Sequence, residues 1–219
     1  MRSRREEYSD ASRRALLDSA RRHFSARGFA STSLDDIAAD ARLTKGAVYH
    51  HFTNKQALFE IVLAELETES VLLITEAGAQ AIARGGSSWD AAMAGLDAFL
   101  DHCLDVDYQR ICFLEGPLAL GFRAWWEQGE LHEIALIRGM LVGLDAAGLI
   151  ESDDIDVLTL LLFGSLLAAA IDIARSEEPQ RTRDRVQDVV ARMVWGLRPA
   201  ARQAGSGTPA PASSVAAAP

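Results

Sequence analysis

The sequence predicts an all-α protein: an N-terminal three-helix helix-turn-helix domain followed by a larger helical domain, about nine helices in total. Three observations predict it. No stretch sustains the two-residue alternation of a half-buried strand, the long segments are rich in Ala, Leu, Arg and Glu, and Gly and Pro fall between those segments. At 219 residues, 49% hydrophobic and 24% charged, the chain has globular composition and can bury a core without disulfides, so Cys103 and Cys112 are expected as reduced core thiols. The start leads into no apolar signal segment. The longest apolar run, 157–171, is 15 residues closed by Asp156 and Asp172, short of the roughly 20 that cross a bilayer. A cytoplasmic location without membrane contact is the expectation.

The first helix is expected over about 10–26, where Leu16, Leu17, Ala20 and Phe24 form one apolar stripe and Gly28 supplies the left-handed stop. Ser33, with Asp36 three residues on, reads as a capping pair for a short second helix over 34–41. Thr44 caps a third over 45–51, and Asn54 caps a fourth that runs to about Arg84 before the Gly85-Gly86 break. Ser87 and Asp90 open the next helix, to about Leu104. A shorter one through Tyr108 to Glu115 should stop at Gly116-Pro117, because proline disfavours the α conformation of its predecessor. Beyond it lie a segment around Trp125-Trp126, a helix over 129–147 ended by Gly148, and two last helices over 153–175 and 181–197. The uncharged tail, 203–219, is expected to stay disordered. The domains are thus 1–55, 56–202 and the tail.

A formal net charge of −9 hides an uneven distribution. Residues 1–55 hold 11 basic side chains against 7 acidic ones, net +4, which leaves 11 against 24, net −13, for the remainder. Only the first body can approach a polyanion. Two short helices joined by a tight turn, the second opened by a hydroxyl cap and a lysine, form the architecture that places a helix in a major groove. A seven-residue helix is roughly 10 Å long, enough for one groove crossing. Gly46 and Ala47 leave little bulk there, while Tyr49, His50 and Lys55 offer donors to phosphate oxygens, and the helix starts at Ser33, Thr44 and Asn54 offer backbone N–H groups. Arg2, Arg4 and Arg5 form either a minor-groove arm or a frayed, solvated terminus.

The run Thr32-Ser33-Leu34-Asp35-Asp36-Ile37-Ala38, through Leu43-Thr44-Lys45-Gly46-Ala47-Val48-Tyr49-His50-His51-Phe52, to Asn54-Lys55-Gln56-Ala57-Leu58 resembles the N-terminal domain of tetracycline-repressor-like (TetR family) regulators. The resemblance is nearly gapless over about 50 residues. It implies a homodimeric, ligand-responsive transcriptional regulator, usually a repressor, that reads a palindromic operator through the helix beginning at Lys45. Position by position, Thr32, Thr44, Tyr49, His50 and Lys55 match phosphate-contacting places; Lys45, Gly46 and Ala47 match places facing the bases; Leu43, Val48 and Phe52 match the domain's own core. Arg21 and His23 depart from the family pattern, which more often has apolar residues there. Ala47 and Lys45 give sparse direct readout, so DNA shape and half-site spacing must carry part of the specificity.

In the acidic body, the helix over 153–175 is apolar all round, and the last helix carries a stripe of its own. Two such helices from each of two chains make a four-helix interface about a two-fold axis, with Leu158, Leu162, Leu166, Val186, Val190, Met193 and Leu197 as its expected residues. The intervening region is the part that, by the resemblance, encloses an inducer. Its candidate pocket residues are Trp89, Met93, Phe99, His102, Cys103, Phe113, Phe122, Trp125 and Trp126, with His132 nearby, and a largely apolar small molecule suits them. Ordinary core packing accounts for any one of them singly. Glu115 is costly to bury charged; Arg110, Arg123 or a cationic effector are its candidate partners.

His102, Cys103 and Cys112 lack the spacing and the fourth ligand of a metal site, and no phosphate loop, Gly-x-Ser-x-Gly elbow or His-Glu-x-x-His motif occurs. No metal, no cofactor and no enzymatic activity are expected. Two alternatives stand beside the ligand-responsive repressor: a regulator that ignores small molecules, and an all-α carrier or enzyme with a vestigial helix-turn-helix.

Overall fold

The computed structural model describes residues 4–129 and 133–199. Arg2, the side chain of Arg5, His132 and the tail 203–219 lie outside the described residues. Among the described residues all regular structure is helical: α1 (Arg4–Arg27), α2 (Leu34–Asp40), α3 (Lys45–His51), α4 (Lys55–Ala83), α5 (Ser88–His102), α6 (Val106–Tyr108), a π-helical segment (Gln109–Glu115), α7 (Gly116–Leu120), α8 (Phe122–Gly129), α9 (Ala135–Ala146), α10 (Ile155–Arg175) and α11 (Pro179–Trp195). α1 starts at Arg4 rather than near Asp10, with Glu6 and Glu7 in its first turn and Arg27 in its last, the arrangement that suits the helix dipole. It ends at Gly28, whose φ of +79° a Cβ would strain.

The caps act as the sequence indicates. The side-chain oxygens of Ser33, Thr44 and Asn54 accept from the backbone N–H groups of Asp36, Ala47 and Ala57 at 3.1, 3.3 and 2.8 Å. Ser87 and Asp90 form a reciprocal capping box on α5. At Gly116-Pro117 the structure corrects the expectation of a stop. Gly116 is α-helical (φ −52°, ψ −54°), because without a Cβ it escapes most of the clash with the proline ring, and Pro117 sits in the first turn of α7, where no N–H is needed. A Cβ on Gly116 would also lie 2.8 Å from Trp125 Cδ1.

One core runs from the N-terminal helices into the acidic body without a break. Leu16, Leu17, Ala20 and Phe24 of α1 meet Leu58, Phe59, Leu63 and Leu66 of α4, and Leu100, Tyr108, Ile111 and Ile173 continue the same cluster. Phe24, Phe29 and Phe59 pack as a trio with ring centroids 5.0–5.9 Å apart. Arg21, unexpected on a core helix, reaches out of it to Glu69 and Asp107, both at 3.0 Å, and so ties α1 to α4 and α6. α10 is 21 residues long and, by length and composition, apolar enough to cross a membrane, a segment the count of 15 residues between two aspartates did not anticipate. Only 28% of its most apolar window is buried within the chain.

Candidate nucleic-acid interface and effector cavity

α2 and α3 are joined by a tight turn in which Arg42 takes a positive φ of 56° and Leu43 N–H returns to Ala38 O at 2.9 Å. Val48 and Phe52 face inward and are buried, which rolls the opposite face of α3 outward. That face holds Lys45, Gly46, Tyr49 and His50, all exposed, with Ala47 half-buried at their edge and Thr44 and Ser33 exposed at the helix starts. Lys45 Nζ pairs with Asp35 at 2.9 Å, a solvated pair worth little that can open toward a base or phosphate.

Two of the expected phosphate contacts point elsewhere. Thr32 is 2% exposed, and its hydroxyl donates to Gly28 O at 2.8 Å, so it closes the α1–α2 turn. Lys55 Nζ donates to Phe29 O and Thr32 O at 2.7 and 2.8 Å and lies 4.3 Å from the centre of the Phe29 ring. Its ammonium thus ties together backbone carbonyls of the turn between α1 and α2.

In the acidic body, a cavity of about 90 Å³ is walled almost entirely by apolar side chains of α4, α5, α9, α10 and α11. Met93, Phe99 and Phe113 line it, as the sequence suggests; Glu133 is its one charged neighbour. A smaller cavity of about 20 Å³ adjoins it, sharing Phe113, Glu133, Phe163 and Leu167 and adding Glu67, Cys112, Trp125 and Trp126. The remaining pocket candidates sit elsewhere. Trp89 packs edge-on against Trp195, His102 stacks on Tyr108 with ring centroids 4.0 Å apart, Cys103 is a fully buried core thiol, and Phe122 is 66% exposed. The Trp125 indole N–H donates to Cys112 O at 2.8 Å, which fixes its ring beside the smaller cavity.

Two carboxyls, Glu67 fully buried and Glu133 half-buried beside the cavity, are the residues that sequence reasoning missed. Burial, then the neighbouring Glu133, pushes the Glu67 carboxyl up to about 8. Burial lifts Glu133 to about 7 against the hydrogen bond from Tyr108. Tyr108 Oη is 3.2 Å from Glu133 Oε1 and also from Ser70 Oγ, whereas Glu67 Oε2 is buried with no hydrogen-bond partner. Glu67 had a signal: with Leu63, Ser70 and Ile74 it falls on the 4, 3, 4 spacing of the buried stripe of α4. Glu115 is satisfied otherwise than by a ligand, lying 3.7 Å from Arg110 and accepting from Phe29 N–H; Arg123 instead pairs with Glu127 at 2.8 Å.

The outward face of α10 and α11 differs from the expected interface set. Leu162, Leu166 and Val190 line the cavity inside the subunit. Leu158 and Leu197 pack on the small Leu141–Leu144–Ile150 cluster, and Val186 on the main core. Met193 alone of the seven is exposed, beside Val157, Leu160, Leu161 and Val189. The difference is a rotation: on a helix apolar all round, periodicity does not say which stripe faces inward.

Comparison with known proteins agrees with this geometry. Residues 16–62 match the family model described as bacterial regulatory proteins, tetR family, and residues 89–197 match that of the tetracyclin repressor-like C-terminal domain. The chain belongs to the TetR family. It is a DNA-binding transcriptional regulator. The transposon Tn10 TetC protein of Escherichia coli is 27% identical over 168 residues, covering 75% of this chain and 81% of that protein. The regulator TtgR of Pseudomonas putida is 41% identical, but over 63 residues only, 29% of this chain and 30% of TtgR. A TetR-family regulator from Pectobacterium atrosepticum superposes with a TM-score of 0.75 at 29% identity, over 90% of this chain and 98% of that one.

Proposed function

We propose that the protein is a homodimeric repressor whose operator is palindromic and whose DNA affinity falls when a small, largely apolar molecule fills the cavity in the acidic body. The exposed face of α3, with Lys45, Gly46, Ala47, Tyr49 and His50, enters the major groove, and Ser33 and Thr44 sit at the helix starts beside the phosphates. A second copy covers Val157, Leu160, Leu161, Val189 and Met193, and the two-fold axis so created matches a palindrome. The observation that carries the coupling is that Phe113 and Glu115 share one short π-helical segment. Phe113 lines the cavity, and Glu115 bonds to Phe29 in the turn that leads into α2. Displacing Phe113 therefore bears on the position of α2 and α3.

The test is quantitative. DNA fragments flanking the gene are scanned for salt-dependent, sequence-selective binding, first alone and then with fractionated metabolite extracts. A selective fragment released by one fraction supports the proposal. A selective fragment that no fraction releases leaves a ligand-independent regulator instead, and failure to select any fragment overturns both. Coupling is reciprocal, so the operator must weaken effector binding by the factor by which effector weakens operator binding.

A further inference from the structure

We infer that the cavity takes an organic cation, a protonated amine on a compact apolar body, with its ammonium group between Glu67 and Glu133. The inference rests on the reading of this cavity as the effector site and adds the chemical class of its occupant. Three observations support it. The first is an acceptor without a donor. Glu67 Oε2 is fully enclosed and unpartnered, a costly arrangement that an N–H donor relieves. The second is the isolation of the acids. Among the described residues no ion pair joins a cationic side chain to Glu67 or Glu133; of the basic residues on neighbouring elements, Arg21 is engaged by Glu69 and Asp107, Arg110 by Glu115, Arg138 by Asp156 and Arg183 by Asp97 and Asp101. The third is the lining. Beyond the carboxyls the walls are apolar and aromatic, with Phe113, Trp125, Trp126 and Phe163 around the same space, which suits a cation attached to a hydrophobic body. The −13 charge of residues 56–219 draws cations to this domain and repels anions.

Near pH 7 the Glu67 carboxyl, raised to about 8, is mostly protonated, and Glu133, raised to about 7, is protonated about half the time. A bound cation favours their ionised forms, so binding releases protons to the solvent. A neutral occupant releases none.

Isothermal titration calorimetry on the full chain distinguishes the outcomes, with benzylammonium chloride as the cation and ethylbenzene as its uncharged counterpart of the same shape. The expected result is that wild type binds both. E67Q, E133Q and the double variant lose at least about tenfold in benzylammonium affinity while ethylbenzene affinity changes by less than about twofold, and that retained binding also shows the variants to be folded. Titration in buffers of different ionisation enthalpy should show proton release with benzylammonium in wild type only. Ethylbenzene binding without benzylammonium binding, or benzylammonium affinity unchanged in all three variants, overturns the cation assignment and leaves the effector cavity standing. If wild type binds neither probe, the effector-cavity reading and the inference built on it both fall.

Discussion

The Glu115 carboxylate accepts a hydrogen bond from the backbone N–H of Phe29 at 2.8 Å, joining residues 86 positions apart. Its Oε1 also occupies the space beside Gly28, where a Cβ would lie 2.6 Å away. One side chain therefore holds the end of α1 to the segment that borders the cavity. Glu115→Ala leaves the Phe29 N–H without its partner and should cost about 1–3 kcal/mol, read as a lower urea midpoint at unchanged slope. Gly28→Ala should cost more, from both collision and positive φ. In the double variant the collision disappears and the φ strain stays, so the two losses should fall short of additive.

Lys55 separates two roles that residue type alone does not distinguish. Its ammonium donates to Phe29 O and Thr32 O, so Lys55→Ala should lower stability by about 1–3 kcal/mol. The slope of log Kd against log salt for operator binding should stay unchanged, since no phosphate contact is lost. Tyr49→Phe should instead weaken binding to every duplex with stability unaltered, because that phenol is half exposed on the face of α3. A shallower salt slope in the Lys55→Ala protein would return Lys55 to the DNA backbone.

The helix caps were written plainly in the chain, the stop expected at Gly116-Pro117 less so. Ser33, Thr44, Asn54 and Ser87 each precede an apolar-periodic run, and each does cap a helix, because a hydroxyl or amide oxygen satisfies N–H groups that the helix leaves free. Side-chain direction was less legible. Thr32 and Lys55 match a motif by position, yet both turn toward backbone carbonyls, a tertiary outcome set by where α1 ends. Leu162 and Val190 face a cavity rather than a partner because the roll of α10 and α11 depends on packing against α5 and α9. The π-helical segment had no signal in composition at all. Glu133 was invisible for a like reason: its surroundings, Tyr108 and the cavity walls, are brought to it by other elements of the chain.

Arg42 adopts φ 56° in the turn between α2 and α3, a conformation that L side chains disfavour. Arg42→Gly should relieve that strain at the expense of a more flexible unfolded chain, for a net gain of about 0.5–1 kcal/mol. Differential scanning calorimetry would register it as a raised Tm. A lowered Tm would mean that the arginine side chain contributes more than its backbone costs.

Glu67 gives the protein a pH dependence of known sign. Its carboxyl is raised by burial, then by Glu133, from an ordinary 4.5 to about 8. Between those values the folded state holds a proton that the unfolded state has lost, so stability falls as pH climbs through the window. Glu67→Gln removes the titrating group. The variant should match wild type near pH 5 and exceed it by on the order of a few kcal/mol at pH 9, where wild type must ionise Glu67 in place. Urea titrations at the two pH values decide it, and a variant less stable than wild type at pH 9 contradicts a buried, neutral carboxyl.

The exposed stripe of α10 and α11 makes the final prediction, about assembly. Val157, Leu160, Leu161, Val189 and Met193 are 49–63% exposed in the single chain, an apolar surface that water disfavours. Gly164 has open space around it, so another helix can approach closely there. Leu161→Glu would place two like charges across a two-fold axis in a desolvated contact, a cost of several kcal/mol that falls on association and spares the subunit fold, since Leu161 is 63% exposed. Sedimentation should show a dimer for wild type and a monomer for Leu161→Glu at the same concentration, with helical circular dichroism intact. Operator affinity should fall with it, because one α3 reaches only half of a palindrome. A variant that stays dimeric would place the interface on another face, and one that is monomeric yet binds the operator undiminished would detach DNA reading from assembly.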